Sequence, residues 1–301
     1  MNAALQMIGL NGNLLLDEPM SKHTSWRIGG LADRYYQPAD IDDLALFISQ
    51  LPEDEPVYWL GLGSNLLVRD GGIRGTVIAT SGVVSGLEKI SDCCVRAEAG
   101  VACAKVARFC AQAGLSGAEF LAGIPGTMGG ALAMNAGAFG GETWGVVAAV
   151  ETLDRQGERH VRGPEDYEIA YRHVRGPANE WFVAAELKLE KNENSAALQA
   201  RIKTLLSQRS ESQPTQLPNA GSVFRNPEGD YAARLIDVCG LKGECEGAAC
   251  VSEKHANFII NTGGATANEV ETLINRVAQT VAEQQGVQLQ REVHIIGEAL
   301  K

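Results

Sequence analysis

The sequence predicts an α+β fold, a mixture of strands and helices that closes in a C-terminal α/β module. Three observations carry this prediction. Short apolar runs bounded by Gly, Asn and Asp alternate with amphipathic helical periods through most of the 301 residues. A helix with its own start signal and an alternating strand end the chain. No period recurs and no low-complexity tract interrupts the pattern, so repeat architectures are set aside.

Residues 1–20 read as a lead-in with weak periodicity. DIDDLALFISQL (40–51) is a helix capped by Asp40, with Leu44, Phe47 and Leu51 on one face. PVYWLGLGSNLLVRDGGIRGTVIAT (56–80) is a strand, a Gly-Ser-Asn loop, a second strand, a Gly turn and a third strand. CCVRAEAGV (93–101) is a further strand, and CAKVARFCAQAGL (103–115) a short amphipathic helix ending near Gly114. A glycine-rich stretch fills 122–141. GVVAAVETLDRQGERHVR then makes a hairpin turning at Asp154–Gly157. The polar KNENSAA (191–197) is the best linker candidate. It leads into a helix with Ser195 as N-cap and Leu198, Ile202, Leu205 and Leu206 on one face. Thr266 and Glu269 have capping-box spacing ahead of the stripe Val270, Leu273, Ile274, Val277 and Val281. In the last strand, VQLQREVHIIG (287–297), alternation puts Val287, Leu289, Val293 and Ile295 on one side and Glu292 on the other.

Composition narrows the function classes. At roughly 150 residues per domain, the length suggests about two domains and a substantial core. A net charge of −11 and a pI near 5.0 argue against nucleic acid or an anionic membrane as partner. The seven cysteines form no CxxC pair, so zinc and a disulfide framework are both disfavoured against free, mostly buried thiols. No basic-then-apolar leader and no apolar run of 18 residues is present, which makes the cytoplasm the expected location. Glycine stands out: 34 residues, gathered in short clusters that suit tight loops near a ligand.

GLGSNL (61–66) nearly matches a dinucleotide fingerprint, but Leu66 replaces its last glycine and a strand follows where a helix belongs. It is either a plain β-turn or a turn that turns backbone N–H groups toward a phosphate. GIPGTMGGALAMNAGAFGGE (123–142) holds seven glycines in twenty residues and no Walker lysine. It is either a small-residue helix packed on a sheet or a backbone surface for a flat or phosphorylated ligand. The two segments together favour a large ligand with an internal pyrophosphate. PNAGSVFRNP (218–227) places Ser222 outside the GxSxG pattern, so it is a turn serine or a proton donor and not a hydrolytic nucleophile. Arg172 and Glu292 are unremarkable individually, and the five histidines are too scattered for a zinc site.

TSWRIGG (24–30), GLGSNLLV (61–68), GIPGTMGGALAMNAGAFGGE (123–142), Tyr171-Arg172, PNAGSVFRNP (218–227), SEKHANFIIN (252–261) and REVHIIG (291–297) follow one another in this order. Over about residues 20–297 this set resembles the UDP-N-acetylenolpyruvoylglucosamine reductase family. The short stretch between Arg172 and Ser222 resembles its compact subclass, which lacks an inserted tyrosine loop. The resemblance implies a p-cresol methylhydroxylase-type FAD-binding region at 1–194, with subdomains near 20–80 and 81–194, and a substrate-binding domain at 195–301. It implies non-covalent FAD, NADPH as reductant and UDP-N-acetylglucosamine enolpyruvate as substrate, with no metal, in a monomer. Arg172, Ser222 and Glu292 fall at the family's catalytic positions. Gly61, Gly63, Ser64, Asn65 and Leu66 would hold FAD from the first loop. From the second, Gly123, Ile124, Pro125, Gly126, Gly129 and Gly130 would do so, with Asn135, Ala136 and Gly137. Tyr171, Asn226 and His255 would bind substrate. Two positions depart from the family pattern: Val174 stands where a serine is common, and Ser212 where a lysine is, with Arg209 nearby as a substitute. The alternatives are a related FAD-dependent oxidase or dehydrogenase of an alcohol or hydroxy acid, and a nucleotide-sugar-binding protein without turnover.

Overall fold

A computed structural model describes residues 7–192 and 194–300. The first six residues of the expected lead-in, and Glu193 of the expected linker, lie outside the described residues. The chain divides into two compact units that are interleaved in sequence. Unit 1 takes residues up to Leu16, Arg34–Gly61 and Gly75–Leu205; unit 2 takes Asp17–Asp33, Leu62–Arg74 and Leu206–Lys301.

Unit 1 is built on a five-stranded antiparallel sheet in the order Arg159–Arg162, Val147–Asp154, Glu180–Lys188, Cys94–Glu98, Leu87–Lys89. Helix α1 (Ile41–Ser49) begins where Asp40 accepts from the Asp43 N–H, as its sequence predicts. Its Leu44, Phe47 and Ile48 bury against Tyr36, Ile78, Leu153 and Val183. Helices α2 (Cys103–Gln112) and α3 (Met128–Met134) share a second core with the sheet, in which Val106, Cys110, Met128 and Leu132 meet Val95, Ala97, Val150 and Leu187. Val57–Leu60 and Ile73–Ala79, the first and third of the strands expected across 56–80, pair in parallel. The hairpin turns at Asp154–Gly157 as expected, with Gly157 at φ +81°.

Unit 2 holds α5 (Ala232–Val238), α6 (Ala267–Gln285) and a three-stranded antiparallel sheet of Cys245–Glu246, Ala249–Val251 and Ile259–Asn261. Burial explains why two early segments join it. Trp26 is fully buried, its Nε1–H donates to Ile259 O at 2.7 Å, and Asn261 donates back to Trp26 O at 2.9 Å. Ile28 and Leu67 sit in the same core as Phe224, Ile236 and Val270. Leu66–Val68 pairs in parallel with His294–Ile296. The α6 capping box of Thr266 and Glu269 forms, and the Asp70 carboxylate accepts from the Ala267 and Asn268 N–H groups at 2.9 Å each.

Five local expectations are corrected. Part of the lead-in is a strand, Asn13–Pro19. Helix α4 (Ser195–Ser212) is capped by Asn194, whose Oδ1 accepts from Ala197 N–H; this places Ser195 inside the first turn. Along α4, Leu198 and Ile202 bury but Leu206 is exposed. The terminal strand is short, His294–Ile296, although Val293 is buried and Val287, Leu289 and Ile295 pack on the core as the alternation requires. Cys245 and Cys250 are joined as a disulfide, because the Gly247–Ala248 turn sets them directly opposite on paired strands with Cα atoms 4.1 Å apart. No helix among the described residues is long and apolar enough to cross a membrane.

Candidate active site

In unit 1, Tyr171 and Arg172 form the two-residue turn between Glu168–Ala170 and His173–Arg175, with Ala170 opposite His173. Arg172 takes φ +54°, a left-handed backbone that a side chain disfavours. Its guanidinium lies 5.2 Å from the Tyr171 ring centroid and reaches the carbonyls of Asn135 (3.5 Å) and Gly137 (3.3 Å). Asn135 ends α3 in the left-handed conformation and is buried. Its Nδ2 donates to Glu142 and to Ala170 O, and its Oδ1 accepts from Trp144 N–H. One side chain therefore ties the glycine-rich loop to the hairpin that presents Arg172.

The glycine-rich segment is closely packed. The Met128 and Gly129 N–H groups at the start of α3 donate to Val101 O and Ala99 O, both at 2.9 Å. A Cβ on Gly129 would meet Ala99 at 2.9 Å, one on Gly123 would strike the Phe139 ring at 2.4 Å, and one on Gly137 would strike Gly141 O at 2.5 Å. Ile124 is buried, Pro125 exposed, and Ala136 is held by backbone bonds to Ala131 and Thr143. Gly130 is exposed, and a Cβ there would meet Thr127 Oγ1 at an ordinary 3.9 Å. Gly61 faces Thr127, and a Cβ there would lie 2.4 Å from its Oγ1. That hydroxyl is buried and has no hydrogen-bond partner among the described residues.

In unit 2, Gly63 takes φ +59° where a Cβ would strike the His23 carbonyl, and Ser64 follows, half-buried. Asn65 Nδ2 donates to Glu292 O at 3.1 Å and Asn65 O accepts from His294 N–H, just before Leu66 enters its parallel strand. Ser222 follows a turn made by Asn219, whose Oδ1 accepts from Gly221 N–H, with Gly221 at φ +75°. Glu292 N–H donates to Val223 O at 2.8 Å, and Phe224 is bridged to Arg291. The segments carrying Ser222 and Asn65 are thus each bonded directly to the segment carrying Glu292. Asn226 accepts from Ala232 N–H at the start of α5. His255 is half-buried, Nδ1 accepting from Asn257 N–H, and burial holds its imidazole below the usual histidine range. Arg209 donates to Gln213 at 3.0 Å.

Comparison with known proteins shows the family to which the chain is related. Residues 32–162 match an FAD binding domain, and residues 213–296 match the C-terminal domain of UDP-N-acetylenolpyruvoylglucosamine reductase. The UDP-N-acetylenolpyruvoylglucosamine reductase of Alkalilimnicola ehrlichii is 61% identical over 96% of each chain, and that of Methylococcus capsulatus is 59% identical over 96% of this chain and 94% of its own. The chain belongs to the UDP-N-acetylenolpyruvoylglucosamine reductase family. The fold agrees: the crystal structure of the Thermus caldophilus reductase superposes with a TM-score of 0.82 at 32% identity, covering 95% of this chain and 99% of that one.

The reductase family's FAD can be tested against these residues. Gly61 and Thr127 provide a close backbone approach beside a buried hydroxyl that no group among the described residues satisfies, which suits an anionic oxygen. The residues fit the group. Sequence reasoning missed Thr127, although its place in PGTMGG just ahead of a helix start was a signal.

Proposed function

We propose that this chain reduces UDP-N-acetylglucosamine enolpyruvate to UDP-N-acetylmuramate with NADPH, as an FAD enzyme of peptidoglycan precursor synthesis. The supporting observation is about 60% identity to curated reductases over nearly the whole chain; Arg172, Ser222 and Glu292 are the residues to which this reading assigns the chemistry. Gly61, Gly63, Thr127 and the 123–137 loop would hold FAD, which supplies hydride transfer between NADPH and the enol ether.

The reaction adds a hydride to the methylene carbon of the enolpyruvyl group and a proton to the adjacent carbon. Negative charge develops on the substrate carboxylate as an enediolate. Arg172 carries a permanent positive charge and stabilises that charge where it forms. Ser222 gives its hydroxyl proton to the adjacent carbon; a neutral donor with a high pKa suits so basic an acceptor. Glu292 supports the same charge as a protonated acid or hydrogen-bond relay. Tyr171, Asn226 and His255 orient the nucleotide sugar.

Residues 1–194 serve FAD and 195–301 the substrate in this reading, in the compact subclass, as a cytoplasmic monomer. The test is anaerobic and uses two half-reactions. In Ser222→Ala, NADPH should still bleach the flavin at near the native rate, while re-oxidation by the enolpyruvyl substrate slows at least ~100-fold. Glu292→Gln should show the same split. Equal loss in both half-reactions refutes the proton-transfer roles, and protein that takes up no flavin refutes the reading as a whole.

A further inference from the structure

We infer that Asn257 is a positioning residue for Ser222, setting the reach of its hydroxyl through the backbone of Val223 and Phe224. The inference rests on the proton-donor role proposed for Ser222.

Asn257 is buried at 3% exposure, where an amide must find partners inside the protein. Its side chain binds both polar groups of one peptide residue: Oδ1 accepts from Phe224 N–H at 2.9 Å and Nδ2 donates to Phe224 O at 2.8 Å. Its main-chain carbonyl accepts from Val223 N–H at 2.9 Å. On the opposite edge, Val223 O accepts from Glu292 N–H at 2.8 Å and Arg225 N–H donates to Gln290 O at 2.9 Å. The segment carrying Ser222 is therefore an irregular strand clamped on both edges. One edge is held by the Glu292 segment, and the other by an amide side chain that replaces a missing strand. Upstream of Ser222, Gly221 takes φ +75° in an Asn219 turn and its Cα faces open space. The clamp begins at Val223, so the position of Ser222 depends on it from the C-terminal side. Asn257 also accounts for its own short loop, since its N–H donates to His255 Nδ1.

Two variants separate positioning from general damage. Asn257→Asp keeps the shape and the acceptor for Phe224 N–H, but sets a carboxylate oxygen against Phe224 O. Asn257→Ser removes both side-chain bonds. In the FAD-loaded enzyme, each should slow flavin re-oxidation by the enolpyruvyl substrate roughly 10- to 100-fold, the scale on which about 1 Å of misplacement acts. Reduction by NADPH should stay within about twofold of native, because that step does not use Ser222. In a Ser222→Ala background, the same Asn257 changes should add less than about twofold, since the group they position is gone. Amide hydrogen exchange of the 222–227 peptide should rise at least ~10-fold in Asn257→Ser, a readout independent of turnover. Equal slowing of both half-reactions, multiplicative losses in the double variants, or unchanged exchange would each overturn the inference. Should Ser222→Ala by itself leave re-oxidation untouched, the proton-donor reading fails and this inference fails with it. A slow Ser222→Ala with multiplicative double variants removes Asn257 alone.

Discussion

Arg172 offers a test in which stability and activity should move apart. It occupies the second position of a two-residue hairpin turn at φ +54°. A left-handed backbone costs a residue with a Cβ roughly 1–2 kcal/mol, a cost glycine escapes. Glycine in turn loses about 0.5–1 kcal/mol through its freer unfolded chain. Arg172→Gly and Arg172→Ala both delete the guanidinium and its long bonds to Asn135 O and Gly137 O, at 3.5 and 3.3 Å. Those losses cancel in the comparison. The glycine variant should therefore unfold about 0.5–1 kcal/mol later than the alanine variant, read from urea midpoints at matched FAD. In both, re-oxidation of reduced flavin by the enolpyruvyl substrate should fall by at least ~100-fold, with reduction by NADPH much less affected. An alanine variant as stable as the glycine one would show that the turn is not left-handed. Native re-oxidation rates in either would show that the guanidinium is not needed for the chemistry. The expected result is a residue kept at a conformational cost because of what its side chain does.

Two further outcomes follow from buried polar groups. Thr127→Val replaces by a methyl a buried hydroxyl with no partner among the described residues, so the FAD-free protein should gain up to about 1 kcal/mol by urea unfolding. FAD affinity, measured by fluorescence titration, should fall about tenfold; unchanged affinity would remove Thr127 from the cofactor cradle. The second concerns Asp43. Burial pushes its carboxyl up, but hydrogen bonds from Tyr36 OH and from the Asn11 and Ala39 N–H groups outweigh this and hold it below its ordinary value near 3.8. A lowered folded-state pKa gives stability that is fully present above the unfolded value and lost as pH falls through the folded one. The advantage of native protein over Asp43→Asn should thus be constant from about pH 6 to 5 and shrink below about pH 4. A pH-independent difference in unfolding midpoint would contradict the ionised network.

The elements that the sequence determined alone are those whose signals are local. Asp40 and the Thr266–Glu269 capping box start α1 and α6 because a cap needs only its own first turn. The Asp154–Gly157 turn and the core stripes of α1 and α6 follow from spacing for the same reason. The ordered motifs also sufficed to name the family, since residue type and sequence order are what a family holds in common. Tertiary structure decided what depends on partners distant in the chain. Trp26 and Leu67 belong to unit 2 because its core buries them, and no periodicity at 17–33 or 62–74 reports a partner more than 150 residues away. The Cys245–Cys250 pairing follows from strand register, which spacing alone does not specify. Arg172 sits in a turn because His173–Arg175 folds back on Glu168–Ala170, and Asn257 clamps Phe224 because two segments 33 residues apart lie edge to edge. Periodicity reports which face of an element is apolar, but which element covers that face is settled only when burial and hydrogen bonding are satisfied across the folded chain at once.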